Sequence, residues 1–296
     1  MKKKVTNILV VIIFLAGLSL LLYPYISNKW NEYRQSKLIT QYSEKLMDQG
    51  ETISYDEEWE KAHQYNADLL PITLPDSFAI AAMAEEPNEF YMSCLNLTGD
   101  GMMGYVEIPR LEVKIPIYHT TSEEVLEKAA GHLEGSSLPV GGENTHAVIS
   151  AHRGLPSAEL FTDLDQLKVG DHFLLYILNE ILCYEVDQIL IVEPTETEEL
   201  AVEEGQDLVT LMTCTPYGVN SHRLFVRGHR VEYIGEESVI QQERETAEVS
   251  THTNYLFWVV VGISATGVVV LIIYLRERRI YKKRHSYTPQ RARKKK

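Results

Sequence analysis

Cys214 closes an alternating run, "DLVTLMTC", that puts Thr210, Met212 and Cys214 on one face of a strand. The following "TPYGVNSH" supplies Pro216, Gly218 and Asn220 for a turn, and Arg223 opens the next β-branched run. This spacing predicts a hairpin with Cys214 and Arg223 as neighbours at one rim. A cysteine is nucleophilic as its thiolate, which nearby positive charge favours. A guanidinium stays protonated and can hold a developing oxyanion. Such a thiol also needs a proton shuttle. Among the histidines, His152 combines a strand end with a glycine-containing turn, "HAVISAHRGLPS". It precedes Cys214 by 62 residues, so any meeting must be tertiary. Thr213 either helps shape an oxyanion site, through its backbone or hydroxyl, or packs as a β-branched residue. Arg153 reads as a salt-bridge or surface residue. No C-x-x-C or H-x-x-x-H spacing suggests a metal. No phosphate loop or dinucleotide fingerprint appears, so no cofactor is expected.

The elements that must position these residues are mostly strands. From Gly104 onward, "GYVEIPRL", "VKIPIYHTT", "THAVISAH", "HFLLYILN", "EILCYEVDQILIVEP", "DLVTLMTC" and "HRLFVRGHRVEYI" are short, β-branched segments separated by turns. "SEEVLEKAAGHLEG" reads as a helix with acids in its first turn and a glycine stop, and "SAELFTDLDQL" as a short helical piece. The pattern predicts a mainly β fold, a closed or nearly closed barrel over 104–236. Before it, 28–70 reads as juxtamembrane helix and 71–103 as an irregular connector.

The ends carry a different signal. After a basic start at 1–4, residues 5–27 are uncharged and long enough to cross about 30 Å of hydrocarbon. The long apolar core and the lack of an A-x-A site favour an anchor over a cleaved signal. Residues 237–253 form a linker, and 254–275 form a second uncharged stretch. A basic tail follows at 276–296. The positive flanks place both termini in the cytoplasm and the domain between them outside a two-pass cell membrane protein. The net charge is −14, but 14 of the 28 basic and 41 of the 42 acidic residues lie between the spans. That acidic surface excludes nucleic acid as a partner, and the basic tail suits membrane lipid head groups. Three cysteines make no disulfide framework; Cys94 and Cys183 read as packed residues, with a bridge between them possible but unsupported.

"GYVEIPRLEVKIPIYH", "AVISAHRGL" and "TCTPYGVNSHRLFVRGHR", in that order over about 130 residues, resemble the sortases. The second membrane stretch, the N-terminal extension and "TPYGVNSHRL" are similar to class C, the pilus-assembling group. The resemblance implies an eight-stranded sortase barrel with short helices. It implies Cys214 as nucleophile, His152 as general acid/base and Arg223 as oxyanion or substrate-positioning group. It further implies cleavage of an LPxTG-like sorting signal between Thr and Gly through a thioester. The acyl group then passes to a lysine amine of a pilin, or to a peptidoglycan precursor in a wall-anchoring relative. Class C also implies a lid before the barrel. "LPDSFAI" is the matching segment, with Asp76 expected to pair with Arg223 and Phe78 to cover Cys214; Ser77 departs from the commoner proline. A silent membrane-bound binding module is the competing reading from another class.

Overall fold

In this computed structural model the described residues are 2–49, 55–69, 76, 78, 88–235 and short pieces between 261 and 282. The chain divides into two compact units, one comprising 1–22 with 248–296 and the other Tyr23–Ala247.

Helix α1 runs from Lys2 to Gln49. Among the described residues it alone is long and apolar enough to cross a membrane, judged by length and composition. Most of the second apolar stretch, 254–275, lies outside the described residues, so the two-pass expectation is not carried by the structure. α2 (Tyr55–Asp68) and α3 (Glu89–Ser93) follow.

Eight strands then close a barrel: β1 (Met102–Ile108), β2 (Val113–His119), β3 (Ala130–His132), β4 (Thr145–Ser150), β5 (His172–Ile177), β6 (Glu180–Val192), β7 (Asp207–Thr215) and β8 (His222–Val231). Their order around the barrel is β1-β2-β3-β4-β7-β8-β6-β5, with β5 pairing back to β1. The pairs β2/β3 and β4/β7 are parallel and the rest antiparallel. Closure removes the exposed edge that an open sheet would present.

Alternation explains the core. Val106, Ile108, Ile115, Ile117, Ala147, Ile149, Phe173, Leu175, Val209, Leu211, Leu224 and Val226 belong to one buried cluster that fills the barrel. Tyr91, Cys94 and Leu95 join it from the chain before β1, and Phe161, Leu164 and Leu167 from the chain after β4. The segment 88–103, expected as an irregular connector, therefore contributes a short helix and core residues. Cys94 is buried in that cluster and Cys183 in a separate one, and no disulfide joins them.

Two helical expectations shorten. The stretch after Ser122 is helical only over α4 (Glu123–Leu126), because Ala130–His132 leave to pair with β2 and β4. In "SAELFTDLDQL" only Leu164–Gln166 form a helical turn, of the 3-10 type. At the first place barrel pairing outcompetes local helix preference.

α1 also builds the Tyr23–Ala247 unit. Tyr42 is buried, its hydroxyl donating to the Met103 carbonyl and accepting from the Leu178 amide. Gln35 donates to the Lys128 carbonyl.

Candidate active site

The β7–β8 register sets Cys214 directly opposite Arg223 and Thr215 opposite His222. The reversal between the strands uses positive φ at Gly218 and Asn220 (73° and 59°), as the turn chemistry anticipates. β4 lies parallel to β7 at a constant offset, from Thr145 against Asp207 to Ser150 against Met212. The ladder continues past the end of β4, where the Ala151 amide donates to the Met212 carbonyl at 3.1 Å. At the same offset the next residue, His152, falls level with Cys214. The three residues of the expected constellation thus gather at one end of three adjacent strands.

Cys214 is 7% exposed, on the outer face of β7. That face forms a second small cluster of Leu133, Val148, Leu200, Met212 and Phe225, against which Phe78 packs. Met212 was legible there from its alternation with Cys214. Leu200 was not, because it arrives from the β6–β7 connection. Thr213 points the other way: it is fully buried and its hydroxyl donates to the Ala151 carbonyl at 2.8 Å. That bond ties β7 to the residue just before His152. Strand alternation is the reason Thr213 turns this way, since neighbours of an outward cysteine face inward.

Asp76 reaches Arg223 with both oxygens, accepting from Nε at 2.6 Å and Nη2 at 2.7 Å. Both side chains are about nine-tenths buried. A two-pronged carboxylate–guanidinium pair of this kind is strong and directional. Nη1 of Arg223 donates to the carbonyls of Asn220 and His222, which orients the fork. Phe78 lies 5.4 Å, centroid to centroid, from the His152 ring, and the Arg223 guanidinium sits 5.1 Å from the Phe78 centroid. Asp76 thus sits on Arg223, while the Phe78 ring meets His152 and Arg223.

Burial pushes the Cys214 thiol above its ordinary pKa; Arg223 pulls it down and Asp76 pushes it back up. Burial holds the His152 imidazole below its ordinary value, against the pull of Glu123 and Glu127. Buried in this way, the pair is biased toward neutral thiol and neutral imidazole. The two glutamates, on α4 and just after it, were not singled out in the sequence. Nothing in their local pattern announces that the parallel β2–β3 crossover brings them near His152.

A closed eight-stranded barrel with a rim thiol, a guanidinium across the strand pair and an imidazole at the end of the parallel neighbour defines a narrow class of cysteine-centred proteins. Residues 106–231 match the family described as Sortase domain. The solved sortase C of Streptococcus pneumoniae is 46% identical with a TM-score of 0.59, covering 67% of this chain and 97% of that one. Sortase C1 of Streptococcus agalactiae is 44% identical with a TM-score of 0.58, covering 67% of this chain and 99% of that one. The chain belongs to the sortase family. Sortase D of Bacillus subtilis (strain 168) is 30% identical over 131 residues, 43% of this chain and 63% of that protein, just under two thirds of its length.

Proposed function

We propose that this protein is a class C-like sortase that polymerises pilin subunits at the cell surface. The observation that carries the reading is the occupied site: Asp76 holds both prongs of Arg223 while Phe78 lies beside the ring of His152. Residues upstream of the barrel thus lie against the imidazole and the guanidinium that faces Cys214 across the strand pair. In this reading the cover swings away and the Cys214 thiolate attacks the carbonyl carbon of the threonine in an LPxTG-like signal. The carbonyl electron pair moves onto oxygen, where the freed Arg223 fork stabilises it. Collapse breaks the Thr–Gly bond, and His152, as imidazolium, protonates the departing glycine amine. A thioester between threonine and Cys214 remains. A pilin lysine then attacks it, gives its proton to His152 and releases the thiolate, leaving an isopeptide bond. Splitting the transfer into two steps lowers each barrier.

The sortase C likeness at 44–46% identity supports the pilus role, and the Streptococcus pneumoniae sortase C is described as a protein with pilin substrate specificity. The proposal includes anchoring through 5–27 and a second span at 254–275, with the barrel outside and both termini in the cytoplasm. The test is intact mass of the full chain in detergent with an LPxTG-type peptide, as wild type, Cys214→Ala and Asp76→Ala/Phe78→Ala. An acyl adduct that requires Cys214 and grows in the double variant supports the reading. Absence of any adduct across several sorting peptides overturns it. Adding a lysine-bearing pilin peptide or a peptidoglycan-precursor amine then separates polymerisation from wall anchoring by which amine discharges the adduct.

A further inference from the structure

We infer that Arg153 is a positioning residue that locks the turn carrying His152 onto the strand end carrying Cys214. The inference rests on the reading of Cys214 and His152 as nucleophile and proton shuttle. The sequence marked Arg153 as a salt-bridge or surface residue; it does pair with Asp165, but its side chain is only 9% exposed. Its Nη1 donates to the Thr215 hydroxyl at 3.2 Å, and Thr215 directly follows Cys214 in β7. Its Nη2 donates to Asp165, in the 3-10 turn over Leu164–Gln166. One planar guanidinium therefore joins three segments: the chain after β4, the end of β7 and the 3-10 turn. Its rigid fork fixes their relative position better than a flexible ammonium would.

Neighbouring contacts make the same junction tight. The Phe161 amide donates to the His152 carbonyl at 3.2 Å, and the Gly154 amide donates to the Thr162 hydroxyl at 3.1 Å. Gly154 has φ +78°, and a Cβ there would meet the Tyr217 ring at 3.0 Å, so the His152 turn and the β7–β8 turn are in close contact. Arg153 spans the same two turns with a hydrogen bond. Its Nε is buried with no hydrogen-bond partner among the described residues. Leaving a buried donor unmatched is unfavourable, so packing stability alone does not account for a guanidinium here. β4 ends at Ser150, and among the described residues no backbone bond beyond Ala151 joins His152 to β7. The Arg153–Thr215 bond supplies a tie at that point.

The test uses the full chain in detergent, with Asp76→Ala/Phe78→Ala as background so that Cys214 is accessible. The pH profile of Cys214 alkylation by iodoacetamide is measured by mass mapping, with and without His152→Ala. With Arg153 present, His152→Ala should shift the profile, because the imidazole and thiol titrate as a pair. With Arg153→Ala, removing His152 should shift it much less. Acyl-adduct formation should fall about tenfold to a hundredfold in Arg153→Ala, the range a small misplacement of catalytic groups produces. Thr215→Val should fall similarly, Thr215→Ser should recover most of the rate, and Arg153→Ala/Thr215→Val should be no worse than either alone. An equal His152 effect with and without Arg153 overturns the positioning role, as does an additive double variant. No effect of His152→Ala even with Arg153 present overturns the thiol–imidazole reading beneath it. Thermal unfolding is followed in parallel, and a loss of activity that only tracks a lower Tm reduces Arg153 to a structural residue.

Discussion

Burial and two charges act on the Cys214 thiol, and their signs lead to an expectation. Burial and Asp76 push the thiol pKa up while Arg223 pulls it down. Asp76→Asn removes an anion and its hold on Arg223, so the thiolate is stabilised. The alkylation midpoint of Cys214 should move to lower pH and the rate at neutral pH should rise several-fold. A midpoint that stays or moves up would refute this account. Arg223 is the other half of the switch. Its fork cannot serve Asp76 and an oxyanion at once, so Arg223→Lys should lose about 10²–10³-fold in acylation, the range for a missing oxyanion donor. The lysine keeps the charge but not the fork, which separates charge from geometry. Acylation within a few-fold of wild type in that variant would count against Arg223 as the oxyanion group.

At the scale of elements, the site depends on strands agreeing in register. β4 and β7 share one offset along their length, and β7 and β8 pair Cys214 with Arg223. A slip of one residue would turn Cys214 into the core and Thr213 outward. Helix α1 buttresses the barrel from outside through Tyr42, whose hydroxyl bonds two backbone groups, one at the start of β1 and one just after β5. Tyr42→Phe keeps the ring but leaves a buried carbonyl and a buried amide unmatched. It should cost about 2 kcal/mol and lower Tm by about 4–8 °C in a domain of this size. An unchanged Tm in calorimetry would mean that α1 does not brace the barrel there.

For the whole molecule, buried neutral histidines set the acid limit. His132 is fully buried, its Nε2 facing the Ser137 carbonyl and its Nδ1 the Tyr91 hydroxyl, a pattern that suits one neutral tautomer. Burial lowers its pKa to about 4. His146 is lowered by burial too, between the Ala201 carbonyl and the Thr210 hydroxyl. The unfolded chain binds these protons from about pH 6.5 downward while the folded chain does not. Folding stability should therefore hold above pH 6.5 and fall below it, by about 3 kcal/mol from His132 alone as pH approaches 4. Urea midpoints across pH 8 to 4.5 check this, and a flat profile would contradict it. Above pH 6.5 the same groups contribute no slope.

The sequence by itself determined the short alternating strands, the outward face shared by Thr210, Met212 and Cys214, and the turn that returns Arg223 to Cys214. These are local matters, since side-chain alternation and turn chemistry are written within a few residues. His152 was legible as a strand-end histidine beside a glycine turn and Asp76 only through resemblance, because nothing within ten residues of either shows what it will face. Tertiary structure decided the rest. Parallel pairing of β4 with β7 aligned residues far apart in the chain, and pairing of β3 cut the expected helix after Ser122 to a single turn. It also gave Thr213 and Arg153 work that their residue types alone did not announce. The physical reason is that register and closure are set by the summed burial of many strands, whereas propensity and spacing act one segment at a time.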